Sequence, residues 1–244
     1  ESISHITKEI LYSCYNTFYH PSNMTMCICG DFKYEEILSE VKKRLLTREK
    51  MEKIERIYPE YETTINKKKA ESYMDVNMPL YMIGYRDYLK DVDSNKKDIA
   101  IKIIFNSLLG KCSKAYQDMY NEGLTMRELN IDYEFSDEYS HILIDGESTN
   151  PEKIYEIVTK ILNNEEVNVE EFERSKKRLY GEFVTNFEDV EQIGRMFIQD
   201  ALRNVDTIDY INQLKNITLE EVNDIKNKIF KSEESILSIV RNKN

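Results

Sequence analysis

The same short arrangement, a capped helix followed by an apolar strand, is predicted at both ends of the chain. Thr7 and Thr218 are expected N-cap residues, each with an isoleucine before it and a glutamate in the first turn. An apolar strand pattern begins 17 residues after Thr7, at Met24, and 18 residues after Thr218, at Ile236. The two arrangements lie 211 positions apart, which indicates either a chance resemblance of one helix and one strand or a duplicated protein, of which this chain would carry the end of one copy and one complete copy.

Three regions are expected along the chain. Residues 1–47 form the remnant of a first domain, residues 48–71 a charged linker in which apolar periodicity is lost, and residues 72–244 a complete second domain. Alternating apolar residues at 127–136 and 139–148 predict an antiparallel pair of strands, and most of the remaining second domain has helical periodicity. The sequence therefore predicts an α+β architecture.

Charge and cysteine content argue against some classes of function and favour one type of cellular compartment. The formal net charge is −11 and no basic block stands apart from acidic neighbours, which argues against nucleic-acid binding. The apolar runs are shorter than the roughly 20 residues that cross a bilayer, so no membrane segment is expected. Four cysteines without a C-x-x-C pair favour a reducing compartment, and we expect a soluble, cytoplasmic protein.

No metal site is predicted from the residues. Cys27 and Cys29 lie two apart on a predicted buried strand at 23–29 and would share one face, which permits either a metal pair or two small apolar residues of a core. The second interpretation is favoured because no further ligands stand near them. His5, His20 and His141 are never four residues apart, so no pair can share one helical face, and structural or solvent-facing roles are expected.

Several stretches, in the same order along the chain, resemble the M16 family of zinc peptidases, the group of insulinase, pitrilysin and the mitochondrial processing peptidase. The similar stretches are ITKE with FYHPSNMTMCICGDF (6–9 and 18–32), FNSLLGKCSKAYQDMYNEGL (105–124), and ITLEEVNDIKNKIF with ILSIV (217–230 and 236–240). The resemblance implies domains built as a mixed, mainly antiparallel sheet with helices packed on one face, with a partial copy of such a domain at the N-terminus. It also implies a two-domain half of a clamshell, two of which enclose a chamber where peptides are cut.

The resemblance further implies zinc chemistry outside this segment. The family's zinc lies on an inverted H-x-x-E-H helix of the first domain, where two histidines hold the metal and the glutamate activates water. This chain has no such motif, so zinc ligands are expected upstream of Glu1 and none here. The segment alone is expected to be inactive.

One helix carries the candidate substrate contacts. In some family members an Arg and a Tyr near this helix steady the substrate, whereas here Tyr116 and Leu124 occupy the matching positions. The absent pair is more typical of the zinc-carrying type of subunit, which borrows it from a different subunit. Tyr116 and Tyr120 lie on one side of the helix and either contact peptide in the chamber or pack, since aromatic residues four apart commonly pack.

These expectations combine into one main hypothesis. The chain is the chamber-forming and partner-docking C-terminal portion of a zinc-dependent endopeptidase that cleaves peptides, working as a dimer with an identical or related M16-like subunit. The alternatives are part of a non-catalytic M16-like scaffold or assembly subunit, or a helix-rich interaction module. A first-domain remnant should also leave apolar surface that packs onto the second domain or associates with another copy.

Overall fold

The computed structural model describes residues 2–45, 51, 54–55, 57–58, 64–136, 139–203 and 205–243. The helices, in chain order, are α1 (Lys8–Phe18), α2 (Tyr34–Arg44), α3 (Ser94–Leu108), α4 (Lys114–Asn121), α5 (Pro151–Asn164), α6 (Val169–Asn186), α7 (Val190–Leu202), α8 (Thr207–Asn216) and α9 (Leu219–Ile229). The strands are β1 (Lys69–Met74), β2 (Leu80–Arg86), β3 (Asn130–Phe135), β4 (Ser140–Glu147) and β5 (Ile236–Asn242).

The chain divides into two compact units. Unit 1 combines residues 1–59 with 185–207, and unit 2 combines residues 60–184 with 208–244. Residues 185–207, which the sequence analysis placed in the second domain, thus pack with the N-terminal segment. The strand β1 begins at Lys69, inside the range 48–71 predicted as a linker; residues 46–50, 52–53, 56 and 59–63 of that neighbourhood lie outside the described residues.

Unit 2 is built on a mixed sheet with the strand order β1-β5-β2-β4-β3. The strands β1 and β5 are parallel, and the other neighbouring pairs are antiparallel. Side chains alternate between the two faces, and one face is buried through Tyr81, Ile83, Leu237 and Ile239 in a core shared with α3, α5 and α9. The predicted α+β class, with a mainly antiparallel sheet and helices on one face, is confirmed.

Several helices of unit 2 begin directly after a capping residue. Asp93 precedes α3 and its Oδ1 accepts from the Asn95 amide at 2.9 Å. Asn150 caps α5, and Pro151 occupies the first helical position, where a missing N–H leaves no bond unmade. Thr218 and Glu221 form a reciprocal capping box at α9. Local sequence therefore fixes where these helices begin.

Unit 1 contains α1, α2 and α7, and none of these helices has a buried residue. The contact between α7 and the stretch that follows α1 is close, because a Cβ at Gly194 would lie 3.7 Å from Cys29 Sγ. On α2, the apolar residues Ile37, Leu38 and Val41 are half-buried. Unit 1 therefore has packing contacts but no enclosed core among its described residues.

The predicted buried strand at 23–29 is wrong. No strand is assigned there, and Met24 and Met26 are 60% and 63% exposed. A strand is stabilised by backbone hydrogen bonds to a neighbouring strand, and no described part of the chain supplies one for this stretch. Cys27 and Cys29 are consequently half-buried rather than core residues, as free thiols whose sulfur atoms are 3.7 Å apart.

The two ends of the chain share their local geometry. The helices α1 and α9 have 11 residues each, and both begin after a capping threonine. They end at Tyr19 and Phe230, which have φ/ψ of −90°/66° and −89°/77°. Single-turn 3-10 helices follow at Pro21–Asn23 and Ser232–Glu234. Every one of these features recurs 211 positions later.

No helix within the described ranges has both the length and the apolar character needed to cross a bilayer.

Candidate functional site

One of the stretches that carry the family resemblance, residues 105–124, lies where α3 passes into α4. Leu108 and Leu109 end α3 inside the core, and the Gly110 amide donates to the Phe105 carbonyl at 2.8 Å. A Cβ at Gly110 would lie 2.7 Å from the Asn106 carbonyl oxygen, a distance that real Cβ atoms essentially never show. Glycine is required here by the close approach of the backbone.

The short helix α4 is closed at both ends by its own sequence. Ser113 caps it by accepting from the Tyr116 amide at 3.1 Å. Gly123 follows the helix with φ +68°, and its amide donates to the Tyr120 carbonyl at 3.0 Å. The Leu124 amide donates to the Met119 carbonyl at 2.9 Å, which completes a Schellman motif. The Leu-Leu-Gly, Ser and Gly-Leu positions of the resemblance therefore have structural roles in this domain.

The turn after α4 is tied to the end of β4. The Ser148 hydroxyl donates to the Leu124 carbonyl at 2.7 Å, and the Thr149 hydroxyl donates to the Gly123 carbonyl at 3.0 Å. The Thr149 amide also donates to the Leu124 carbonyl. These bonds satisfy backbone groups that the turn leaves without helical partners, and they hold α4 against the sheet.

Tyr116 and Tyr120 stack on one side of α4, with ring centroids 6.2 Å apart and planes 26° apart. Their environments differ, because Tyr116 is 8% exposed within the core and Tyr120 is 49% exposed. Leu124, at the other family position, is also buried. Of the three side chains, Tyr120 alone presents an aromatic face to solvent, backed by the ring of Tyr116. Such a face can contact an apolar or cationic side chain of a peptide.

A second group of titratable side chains was not found from the sequence. Asp87 Oδ2 accepts from Lys97 Nζ at 2.6 Å, from Ser140 Oγ at 2.7 Å and from Tyr133 Oη at 2.9 Å. Asp87 Oδ1 accepts from the Leu89 amide at 2.8 Å, and Lys97 also donates to the Leu89 carbonyl at 2.7 Å. The group joins the end of β2 to α3, β3 and β4 with its polar atoms paired.

The electrostatics of this group favour an ion pair. Burial alone raises the pKa of Asp87, but hydrogen bonds from Lys97 and Ser140 outweigh it and hold that pKa below its usual value. Burial raises the pKa of Tyr133, so its hydroxyl keeps its proton and donates. A carboxylate that accepts from four donors serves a structural role by holding β2, α3, β3 and β4 together.

The residues present do not fit a zinc ion. His5 lies in a 3-10 turn before α1, His20 accepts from the Ser22 amide through Nδ1, and His141 stacks on Tyr139 across 5.9 Å. Within the described ranges no three His, Cys, Asp or Glu side chains cluster as metal ligands do. The pair Cys27 and Cys29 has no third ligand beside it there, so two thiols alone remain.

Comparison with known proteins gives the same family as the residues above. Residues 5–179 match the sequence family described as the peptidase M16 inactive domain. The uncharacterized zinc protease YmfH of Bacillus subtilis (strain 168) is 30% identical over 232 residues, which cover 92% of this chain and 54% of YmfH. This chain therefore spans about half the length of that relative.

Solved structures show the same fold. An M16-like peptidase from Alicyclobacillus acidocaldarius superposes with a TM-score of 0.87 at 28% identity, covering 99% of this chain and 60% of that one. A protease from Helicobacter pylori has a TM-score of 0.80 at 18% identity, covering 98% of this chain and 60% of that one, which is a likeness of fold.

Fold and sequence together define a domain of the zinc-protease class that carries no zinc-ligand cluster in its described part. The chain belongs to the peptidase M16 family, and residues 5–179 correspond to its inactive domain. The predicted resemblance is thereby confirmed. The mixed sheet with helices packed on one face argues against the alternative of a helix-rich interaction module.

Proposed function

We propose that this chain is the chamber-forming and partner-docking C-terminal portion of a zinc-dependent endopeptidase whose zinc site lies in another part of the protein. The observation that carries the proposal is the match of residues 5–179 to an inactive domain, combined with 30% identity to a relative called a zinc protease. The chain covers 54% of that relative, which leaves room for a metal-bearing portion of similar size.

The proposed parent protein has two similar domains. In this proposal residues 1–47 end the first domain, residues 48–71 link the two, and residues 72–244 form the second. The support is the recurrence of a capping threonine, an 11-residue helix, a matching helix end and a 3-10 turn, each 211 positions apart. Equal spacing across four successive features supports duplication.

The proposed substrate is a peptide, with Tyr116 and Tyr120 as its contacts on this segment. The half-exposed ring of Tyr120 supplies the contact surface, and the buried ring of Tyr116 fixes its orientation through stacking. Neither tyrosine is assigned chemistry on the scissile bond. Their role is to hold a peptide side chain by aromatic contact.

The remaining elements of the proposal concern partners and compartment. A second M16-like subunit, identical or related, would complete the chamber as a dimer, and the apolar side chains that unit 1 exposes on α1 supply surface for such contacts. Free cysteines in the structure support a reducing, cytoplasmic location. Neither a nucleic acid nor a membrane is proposed as a partner.

The alternative function is that of a non-catalytic M16-like scaffold or assembly subunit. It is compatible with the structural roles of the α3–α4 motif residues, which would be needed whether or not the parent protein cuts peptides. The two functions differ in whether the longer protein carries an intact H-x-x-E-H helix that holds zinc.

The test is zinc content per chain, measured by elemental analysis on the longer natural protein and on this segment side by side. About one zinc in the longer protein and none in the segment is expected, together with cleavage of a fluorogenic peptide by the longer protein only. No zinc in either would favour the scaffold. Zinc-dependent cleavage by the segment itself would overturn the assignment of the site to another portion.

A further inference from the structure

The stretch that follows α1 brings two thiols together. Cys27 and Cys29 are two residues apart, and their sulfur atoms lie 3.7 Å from each other, so that either thiol can donate to the other. All four cysteines of the chain lie within the described residues, and each is a free thiol. Cys14 and Cys112 are exposed, whereas this pair is half-buried. Two nucleophilic groups at this distance are a candidate for a reaction that needs both of them.

The local backbone permits the two sulfur atoms to approach further. A disulfide needs an S–S distance of about 2.05 Å and a Cα–Cα distance of roughly 4.4–6.8 Å. Two residues of a strand span about 6.4–6.8 Å, which is the upper end of that range. No strand is assigned at residues 23–29, so no ladder of hydrogen bonds to a described strand holds Ile28 in an extended conformation. A small bend at Ile28 therefore brings the two thiols within bonding distance.

The neighbours of the pair leave it accessible and give it room to move. Ile28, between the two cysteines, is 43% exposed, and Met26 is 63% exposed. Gly30 follows Cys29 with φ +150°, a conformation that residues with a Cβ rarely adopt. Gly194 of α7 faces Cys29 without a side chain. A small molecule can therefore reach the sulfur atoms, and the chain can adjust around them.

The protonation of the pair favours a disulfide at equilibrium and makes its formation slow. Partial burial, and then the hydrogen bond and the charge of Cys29, raise the pKa of the Cys27 thiol. A thiol that resists ionisation gives the reduced form no thiolate to stabilise it, and the oxidised form is favoured by comparison. The thiolate is the attacking group in exchange reactions, so the reaction is slow at neutral pH.

We propose that Cys27 and Cys29 form a reversible redox site, which a low-molecular-weight disulfide oxidises to an intramolecular disulfide. In the first step one cysteine thiolate attacks the oxidant, which forms a mixed disulfide and releases one thiol. In the second step the other cysteine attacks the protein sulfur of the mixed disulfide and releases the second thiol. Two electrons and two protons pass from the pair to the oxidant. The proposal depends neither on the duplication nor on zinc chemistry.

The disulfide changes the surface on which α7 packs. Sulfur atoms that are 3.7 Å apart must approach each other by about 1.7 Å to bond. Cys29 Sγ is also the atom that lies 3.7 Å from the position of a Cβ on Gly194 of α7. The bend at Ile28 displaces this contact, which lies within unit 1. Oxidation is therefore expected to loosen α7.

The test treats this segment with glutathione disulfide in the presence of a metal chelator, alkylates the remaining thiols and maps the peptides by mass spectrometry. The expected product has a Cys27–Cys29 disulfide, with no glutathione on either residue. Cys27→Ser and Cys29→Ser should each instead keep one glutathione on the remaining cysteine of the pair, because the second attacking thiol is missing. Glutathione retained on the pair in the natural sequence, a disulfide to Cys14 or Cys112, or no reaction would each overturn the proposal.

A second measurement follows hydrogen exchange in the reduced and oxidised forms. Amides of residues 190–202 in α7 should exchange about three- to tenfold faster after oxidation, while those of α9 in unit 2 keep their rates. The control is the double variant Cys27→Ser/Cys29→Ser, in which the oxidant should leave α7 unchanged although Cys14 and Cys112 can still react. Unchanged or slower exchange of α7 in the natural sequence would refute the effect on α7. Failure of dithiothreitol to restore the starting rates would refute reversibility.

Discussion

Lys97 donates a 2.6 Å hydrogen bond to Asp87, with the lysine side chain 6% exposed and the aspartate side chain fully buried. Tyr133 and Ser140 donate to the same carboxylate, so the negative charge is solvated by protein groups in place of water. A buried pair of this kind adds little net stability over an apolar pair, but removing one partner leaves the other charge uncompensated.

Replacing Lys97 by Met should lower the free energy of unfolding by about 3–5 kcal/mol, because Asp87 would stay buried without its cation. The matched control is Lys228→Met, which removes a lysine from the surface pair with Asp224, where the side chains are 51% and 56% exposed. That change should lower the free energy of unfolding by about 0–1 kcal/mol. Urea denaturation measures the loss of unfolding free energy in both variants. Equal losses of unfolding free energy would contradict the structural role of the buried pair.

Acid should weaken the attachment of β1 to α5 through Glu152. Hydrogen bonds from Lys69 and then from Arg241 lower the pKa of Glu152 from 4.5 to about 2. A carboxyl with a depressed folded pKa contributes stability that is complete above its unfolded pKa and is lost as the pH falls through its folded pKa. Glu152→Gln should therefore show a shallower decline of the urea midpoint between pH 4.5 and pH 2 than the natural sequence. Identical slopes would rule out this linkage.

Gly123 and Gly181 should respond to alanine with opposite signs. An added Cβ meets nothing within 4 Å at either position, so packing does not contribute. Gly123 has φ +68°, where a Cβ costs about 1–2 kcal/mol. Gly181 lies inside α6, where alanine is favoured over glycine by roughly 0.5–1 kcal/mol. Thermal unfolding of the two variants measures the difference, and stabilisation by Gly123→Ala would contradict the left-handed turn.

Hydrogen exchange should distinguish the two equivalent helices α1 and α9. Both have a capping threonine and the same length, but α9 buries Val222, Ile225 and Ile229 while α1 buries none of its residues. Amides of α1 should therefore exchange through local opening, and those of α9 only through global unfolding. Mass spectrometry of the segment measures both. In the longer protein α1 should gain protection, and equal protection of both helices in the segment would contradict this view.

Tyr120→Ala in the longer protein should raise KM for peptide cleavage about two- to tenfold with a smaller effect on kcat, because an aromatic contact contributes ~0.5–1.5 kcal/mol. Tyr120→Phe should restore most of the loss. Tyr180, which is 45% exposed on α6, gives a control substitution to Ala. An equal effect at Tyr180, or none at Tyr120, would remove Tyr120 from the substrate contacts.

Helix ends can be predicted from the sequence where one residue type determines the local backbone conformation. The cap at Thr218 lies where the sequence predicts it, and Asp93, Asn150 and Gly123 likewise mark helix ends through residue types that favour those positions. These positions depend on one or two hydrogen bonds formed within a few residues. The motif of the α3–α4 region could be located for the same reason.

Contacts between residues far apart in the sequence could not be predicted from short sequence patterns. The strand predicted at 23–29 has the composition of a strand, but pairing partners decide whether a strand forms. Helical periodicity identified α7 without indicating that it packs in unit 1. The buried Asp87–Lys97 pair could have been predicted in part, because Lys97 lies on the apolar side of α3 with Ile101 and Ile104 at helical spacing. A lysine on an apolar stripe indicates a buried partner.

The position of β5 between β1 and β2 has a consequence for synthesis of the protein. The strand that joins β1 to the antiparallel set is the last of the five to be translated. A nascent chain can pair β2, β4 and β3 as it leaves the ribosome, but β1 must wait until residues 236–242 have emerged. During that interval its edge is open to chaperones and to neighbouring chains on the same polysome.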